Sequence, residues 1–189
     1  MKIRSKMGMV FLLAGLAVAG LGGGTGPKSA DEGGLRVRMD EARGRLWVLR
    51  LKDVSVYDAA TKTLISRVRL RNWLVARFYC PPDLAIDGNG DAIVSSNVQS
   101  RLWRIDARDF RVQEQRIRLE GRELWDVGFG ALAFTSDGRL YAVTALTATL
   151  WSIDTRRQRA RMVGPANPFS KTCELTPRLV REIEMRHAR

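Results

Sequence analysis

One five-residue segment carries the sequence's best pattern for metal binding. In Asp87-Gly88-Asn89-Gly90-Asp91, oxygen-bearing side chains occupy alternate positions. Carboxylate and amide oxygens are ligands that Ca²⁺ prefers, so Asp87, Asn89 and Asp91 are candidate ligands for Ca²⁺ or another divalent metal. No glutamate follows at the spacing that completes an EF-hand loop, and an Asp/Gly turn explains the same residues. The sequence therefore favours a turn and a protein without a cofactor.

Other residues that could do chemistry are few. His187 is the only histidine, so one chain holds neither a Ser-His-Asp triad nor a multi-histidine metal site. Gly20 to Gly26 is glycine-rich but lacks the Lys and Ser/Thr of a phosphate-binding loop. We expect no catalytic residues on this basis.

The two cysteines, Cys80 and Cys173, are far apart in the sequence and lack a zinc spacing. An even number of cysteines in an oxidising compartment permits one disulfide. The alternative is two separate buried thiols, and sequence alone does not decide between them, because bonding needs Cα atoms within about 7 Å.

Residues 1–30 have the pattern of an export signal followed by a glycine-rich linker. Lys2, Arg4 and Lys6 precede a short apolar run, and small residues end at Ala19, with a second candidate cleavage site after Ala30. The apolar run is short for a spanning helix, which needs about 20 residues. The alternative is an uncleaved N-terminal anchor. The pattern predicts an exported protein, periplasmic or secreted.

The formal net charge is +12 at pH 7. A basic exported protein can contact an anionic surface polymer or an acidic protein. The arginines are spread along the chain with acidic residues between them, however, which favours an ordinary solvated surface. The chain has no long basic run, and it begins with a predicted export signal; both features argue against nucleic acid as a partner.

A unit of about 48 residues recurs three times and predicts the fold. Leu102-Trp103-Arg104-Ile105-Asp106 matches Leu150-Trp151-Ser152-Ile153-Asp154, and Val54 to Asp58 is a weaker third copy. A turn with Asp and Gly precedes each copy, beginning at Asp40, Asp87 and Asp137. Each unit reads as four antiparallel strands, close to the length of a propeller blade. The predicted fold is all-β, with three four-stranded blades within residues 31–165, at 35–71, 84–119 and 131–163.

Three blades leave two end faces without a neighbour, because closed propellers have four to eight blades. Two chains could close a six-bladed ring as a homodimer. Alternatively, terminal segments cover the ends, or the chain is a truncated relic of a longer protein. In the tail, residues 166–189, Thr176 and Pro177 begin a predicted amphipathic helix whose apolar residues are Leu179, Val180, Ile183 and Met185. We expect this helix to pack on the last blade.

Aromatic residues cluster in the segments between the predicted blades. Trp73, Phe78 and Tyr79 lie in the first segment, and Trp125 and Phe129 lie in the second. Exposed aromatics above a rigid scaffold often anchor a partner. Packing between blades explains the same residues equally well.

The Asp-Gly turns and Leu-Trp-x-Ile-Asp strands resemble the repeats of exported propeller families. The nearest are the NHL and YVTN-type repeats and the gluconolactonase-like hydrolases, and residues 84–106 and 131–154 carry the resemblance best. The gluconolactonase resemblance implies a central metal held by acidic and Asn side chains. Asp40, Asp87 and Asp137 could surround such an axis, or simply cap their turns.

Two functions follow from the sequence. The first is an exported, non-enzymatic scaffold that binds a protein or surface polymer through the segments between blades. The second is a metal-dependent lactonase-like or esterase-like hydrolase.

Overall fold

The computed structural model describes residues 34–76, 80–120, 128–166 and 173–187. In these residues, three mostly antiparallel sheets, one α-helix and one short 3₁₀ helix, Glu41–Arg43, account for the regular structure. We call the sheets blades 1, 2 and 3. Blade 1 contains β1 to β4, at Gly34–Asp40, Arg45–Arg50, Asp53–Asp58 and Leu64–Arg69. Blade 2 contains β5 to β8, at Leu84–Ile86, Ala92–Ser95, Arg101–Ile105 and Val112–Arg116. Blade 3 contains β10 to β13, at Phe129–Phe134, Leu140–Thr144, Thr149–Asp154 and Arg159–Pro165.

The strands of each blade pair in the order of the sequence, as the repeat predicted. The all-β class and the four-stranded blades are therefore confirmed. The predicted export signal in residues 1–30 lies outside the described residues. Among the described residues, no helix has the length and apolar character to cross a membrane.

The recurring tryptophans hold the blades together. Trp103 of blade 2 is fully buried against Trp47 and Leu49 of blade 1. Trp151 of blade 3 is fully buried against Ile93 and Leu102 of blade 2 in the same way. Blades 2 and 3 thus each insert a tryptophan into the face of the preceding blade, and the burial of such a large apolar side chain stabilises the stack.

The fourth predicted strand of the second repeat divides between two blades. The sequence predicted one strand at Val112–Leu119, but β8 ends at Arg116 and a short β9, Arg118–Glu120, pairs in parallel with β13 of blade 3. Ile117 lies at the division and is buried in the core between blades 2 and 3. Burial of this side chain turns the chain out of blade 2, and β9 then ties the two blades together.

The C-terminal helix α1, Pro177–His187, covers the outer face of blade 3. Its first turn is capped as predicted, because the Thr176 hydroxyl accepts a hydrogen bond from the Leu179 amide at 3.2 Å. Val180 and Ile183 pack on the blade together with Leu175, whereas Met185 is exposed. The apolar face that blade 3 would otherwise present to solvent is therefore occupied by the chain's own helix.

The outer face of blade 1 is built differently from the faces between blades. Ser55 lies opposite Val48 in the register, the place that Trp103 holds opposite Val94 in blade 2. On the face of blade 1 that is turned away from blade 2, a small polar residue thus replaces the tryptophan; Ser55 is buried there and its hydroxyl donates to Asp53 at 3.1 Å. The six-bladed homodimer stays a prediction, and it would require α1 to leave blade 3.

Candidate binding site

The stacked blades have two ends of different character. At one end, which we call the turn end, short Asp-containing turns join β1 to β2, β3 to β4, and their equivalents in the other blades. At the opposite end, which we call the loop end, lie the connections between blades and the segment that leads to α1.

At the turn end, the aspartate that closes each repeat caps its own turn. The carboxylate of Asp58 accepts backbone amides of Ala60 and Thr61, at 3.0 and 2.7 Å. Asp106 and Asp154 make the equivalent bonds two and three residues ahead. These amide donors lower the pKa of all three carboxyl groups. The repeated Asp is thus explained by turn formation.

The predicted metal ligands lie at the turn end of blade 2 and already have partners. The guanidinium of Arg104 binds Asp87 at 3.0 Å and Asp91 at 2.6 Å. The other oxygen of Asp87 accepts the backbone amides of Asn89 and Asp91. Among the described residues, no group of three or more His, Cys, Asp and Glu side chains is placed to hold a metal ion. Metal binding by Asp87, Asn89 and Asp91 stays a prediction.

Asp40 and Asp137, the other aspartates that the sequence placed near an axis, also contact residues of their own turns. Asp40 pairs with Arg43 at 3.3 Å. Asp137 accepts hydrogen bonds from the Thr135 hydroxyl and from Arg139, which lower its pKa to about 2. Both carboxylates therefore take part in local turn geometry.

At the loop end, Asn97 clamps the connection between blades 1 and 2. Its amide nitrogen donates to the carbonyl oxygens of Ala76 and Cys80 at 2.7 and 3.1 Å, and its oxygen accepts the Ala76 amide at 2.9 Å. Ser96 donates to the Leu74 carbonyl at 2.6 Å. One short segment after β6 thus fixes residues on both sides of 77–79.

Asp83 joins all three blades and is almost fully buried. Its carboxylate accepts hydrogen bonds from Arg38 of blade 1 at 2.8 Å, from the Leu84 amide at 2.8 Å and from the Leu132 amide of blade 3 at 3.0 Å. Arg36 lies 3.4 Å away. Burial raises the pKa of the Asp83 carboxyl, and the neighbouring arginines act in the opposite direction. Asp83 does not stand out in the sequence, because its partners are distant in the sequence; only its position at the start of a buried strand could have indicated it.

Cys80 and Cys173 form a disulfide with Cα atoms 5.3 Å apart. The bond links the connection between blades 1 and 2 to the segment that precedes α1. The Arg36 guanidinium also donates to the Cys173 carbonyl at 2.9 Å. The segment that precedes α1 is therefore attached to blade 1, whereas α1 itself packs on blade 3.

The predicted binding-loop aromatics have separate positions. Phe129 is fully buried between blades 2 and 3. Trp73 packs on the core between blades 1 and 2 and donates its indole N–H to the Ser95 carbonyl at 2.9 Å. Phe78, Tyr79 and Trp125 lie outside the described residues. The two described aromatics have the contacts of packing residues.

The exposed apolar residues of the loop end are leucines, which the sequence analysis did not single out. Leu51, Leu74 and Leu146 are 41%, 56% and 51% exposed. Leu51 lies between β2 and β3 of blade 1, Leu74 lies between blades 1 and 2, and Leu146 lies between β11 and β12 of blade 3. Exposed leucines at one end of the stack are candidate contacts for a protein partner.

Comparison with known proteins identifies the fold. No family model and no curated protein matches the sequence. Among solved structures, inactive virginiamycin B lyase from Staphylococcus aureus with quinupristin is 14% identical with a TM-score of 0.52, over 69% of this chain and 41% of the lyase. The dihydro-heme d1 dehydrogenase NirN in complex with DHE is 14% identical with a TM-score of 0.52, over 69% of this chain and 28% of NirN.

This chain therefore spans less than half the length of either neighbour, and the likeness concerns the fold alone. Both neighbours are propeller-type proteins. Together with the three stacked antiparallel blades, they show that the chain has the fold of an incomplete β-propeller.

Proposed function

We propose that the chain is an exported, non-enzymatic scaffold that binds a partner protein through its loop end. One observation carries the proposal: Leu74 is exposed although its surroundings are fixed. Its carbonyl accepts the Ser96 hydroxyl, and Trp73 and Ala76 on either side are hydrogen-bonded to blade 2. An apolar side chain held in this way pays little conformational entropy on binding.

The contacts of the carboxylates support a scaffold rather than a hydrolase. Asp83, the most buried carboxylate among the described residues, connects the three blades. Asp87 and Asp91 pair with Arg104, and Asp58, Asp106 and Asp154 cap turns. Export is supported by the N-terminal sequence pattern and by the disulfide, which is typical of oxidising compartments.

The proposal is tested by a photo-crosslinking residue at position 74 of the chain expressed in its native host. The control carries the same residue at Arg111, an exposed position of the turn end. We expect a discrete crosslinked product from position 74 only. Excess purified wild-type protein should compete for it, whereas the Leu51→Ser/Leu74→Ser variant should not. Identical products from both positions, or equal competition by both proteins, would contradict the proposal.

The hydrolase hypothesis makes a separate prediction that the same preparation can test. A lactonase-like or esterase-like enzyme of the gluconolactonase type needs a bound divalent metal. Elemental analysis of purified protein, together with ester and lactone hydrolysis before and after EDTA, distinguishes the two functions. A stoichiometric metal with EDTA-sensitive turnover would replace the scaffold proposal.

A further inference from the structure

Four arginines line one open cleft at the turn end of blade 3, which we call the arginine cleft. They are Arg139, Arg156, Arg159 and Arg161. The cleft has a volume of about 580 Å³, and its lining includes two carboxylates, Glu120 and Asp154. The cleft therefore contains two more cationic than anionic side chains.

Three of the four arginines lie close together in the sequence, between residues 156 and 161, and the fold adds Arg139 to them. Arg139 precedes β11, Arg156 lies in the turn between β12 and β13, and the other two lie two residues apart on β13. The strand pairing of blade 3 brings these segments together. Concentration of like charge raises the local positive potential, which favours an anionic ligand.

Two of the four guanidinium groups are available to a ligand. Arg159 pairs with Glu120 at 3.3 Å, and Arg139 pairs with Asp137 and Glu184 at 2.7 and 3.1 Å. Arg156 and Arg161 are exposed and make no ion pair with any residue that the structure describes. A ligand can bind them without breaking an existing salt bridge.

The shape and lining of the cleft suit an extended ligand. A second cavity of about 290 Å³ shares Arg139, Ser152 and Arg161 with the first and continues along blade 3 towards Glu184 of α1. Phe134 and Ile153 add apolar surface to the floor. Arg159 and Arg161 project from alternate positions of a strand, a spacing of roughly 7 Å.

We infer that the arginine cleft binds a linear polysaccharide that carries carboxylates on its sugar units. The planar guanidinium fork matches a carboxylate in two parallel hydrogen bonds. Repeated carboxylates can engage several arginines at once, while the C–H faces of the sugar rings contact Phe134. This site is at the opposite end of the stack from the protein-binding surface proposed above, so either can fail without the other.

The test is binding of the full chain to polygalacturonate, measured by calorimetry at low salt. The cleft variant is Arg156→Gln/Arg161→Gln. The matched control, Arg69→Gln/Arg116→Gln, removes the same charge from two exposed arginines of blades 1 and 2 that have no ion pair with described residues. We expect the cleft variant to bind at least about tenfold more weakly and the control to stay within about twofold of wild type. Neutral dextran should not bind.

Three outcomes would overturn the inference. The first is no binding of polygalacturonate by the wild-type protein. The second is an equal loss of affinity in both variants, which would show that net charge alone attracts the polymer. The third is equal affinity for polyglutamate or polyphosphate, which would show that the cleft does not recognise the sugar. Circular dichroism of both variants checks that they are folded.

Discussion

The turn end and the loop end of the blades are stabilised by contacts of different range. At the turn end, Asp106 is bonded to amides two and three residues away. At the loop end, Asp83 is bonded to residues 45 and 49 positions away, and the disulfide spans 93. The Asp-capped turns of the turn end are therefore set by local sequence, whereas the contacts of Asp83 and the disulfide at the loop end form only when the blades are assembled.

The largest expected effect that tests this difference is at Asp83. In Asp83→Ala, Arg36, Arg38 and two backbone amides lose a buried acceptor, which we expect to lower the free energy of unfolding by about 3–5 kcal/mol. The turn-end control, Asp106→Ala, removes an exposed cap and should cost much less. Urea unfolding of both variants measures the difference. Equal losses in the two variants would mean that the ends are not distinct in stability.

The difference between the ends also explains which features the sequence analysis predicted. The Asp-Gly turns, the strand order and the tryptophan repeat depend on residues close together in sequence, and the structure confirms the blades that they predict. The division of the last strand of blade 2 at Ile117 was missed, because the burial of that side chain depends on blade 3. The arginine cleft was missed as a site because only the strand pairing of blade 3 adds Arg139 and Glu120 to the arginines between residues 156 and 161.

The candidate partner-binding residues of the loop end were also hard to predict from sequence. Trp73 and Phe129 have the aromatic character of anchors, yet their surroundings make them packing residues. Leucine is not a residue type that marks a binding site. Leu74 is a candidate because its side chain is exposed while Ser96 and Asn97 hold the surrounding backbone by hydrogen bonds. Residue type predicts what a side chain can do, but only the fold determines which side chains solvent or a partner can reach.

The disulfide provides the second test, specific to the loop end. Reduction, or Cys80→Ser/Cys173→Ser, should lower the free energy of unfolding by about 2–4 kcal/mol, because the unfolded chain loses a long-range constraint. The sequence holds only these two cysteines, so the doubly substituted protein is the control and should not respond to reductant. Unfolding measured with and without dithiothreitol gives the result. A wild-type protein that is indifferent to reductant would argue against the bond in solution.

Acid should weaken the turn end before the loop end. Asp137 has a pKa of about 2 in the folded protein, below its usual value of 3.8. Its stabilising contribution is therefore fully present above pH 3.8 and is lost as the pH falls through about 2. Asp83 has a raised pKa, so the sign of its pH dependence is opposite: protonation of this carboxyl as pH falls favours the folded protein over the unfolded one.

The pH effect is measured by comparing wild type with Asp137→Asn. Denaturant unfolding between about pH 5 and pH 2 should show a smaller pH dependence in the variant, because the group that takes up a proton on unfolding is gone. The Arg139 pair to Glu184 is retained in this variant and serves as an internal reference. An unchanged slope would place the acid sensitivity elsewhere.

Calcium should have the smallest effect, and it tests whether the turn end is purely structural. A metal at Asp87 and Asp91 would have to displace the Arg104 guanidinium from both carboxylates, and one remaining oxygen of Asp91 already accepts the Ala107 amide at 2.8 Å. We expect about 1 mM Ca²⁺ or EDTA to move the Tm of the wild-type protein by less than about 1 °C. Arg104→Gln leaves both carboxylates without their cation, so this variant should gain Tm with Ca²⁺ if the spacing of Asp87, Asn89 and Asp91 suits the ion. A clear Ca²⁺-dependent rise in the wild-type protein would instead establish the metal site, and the turn end could then no longer be explained by local hydrogen bonding alone.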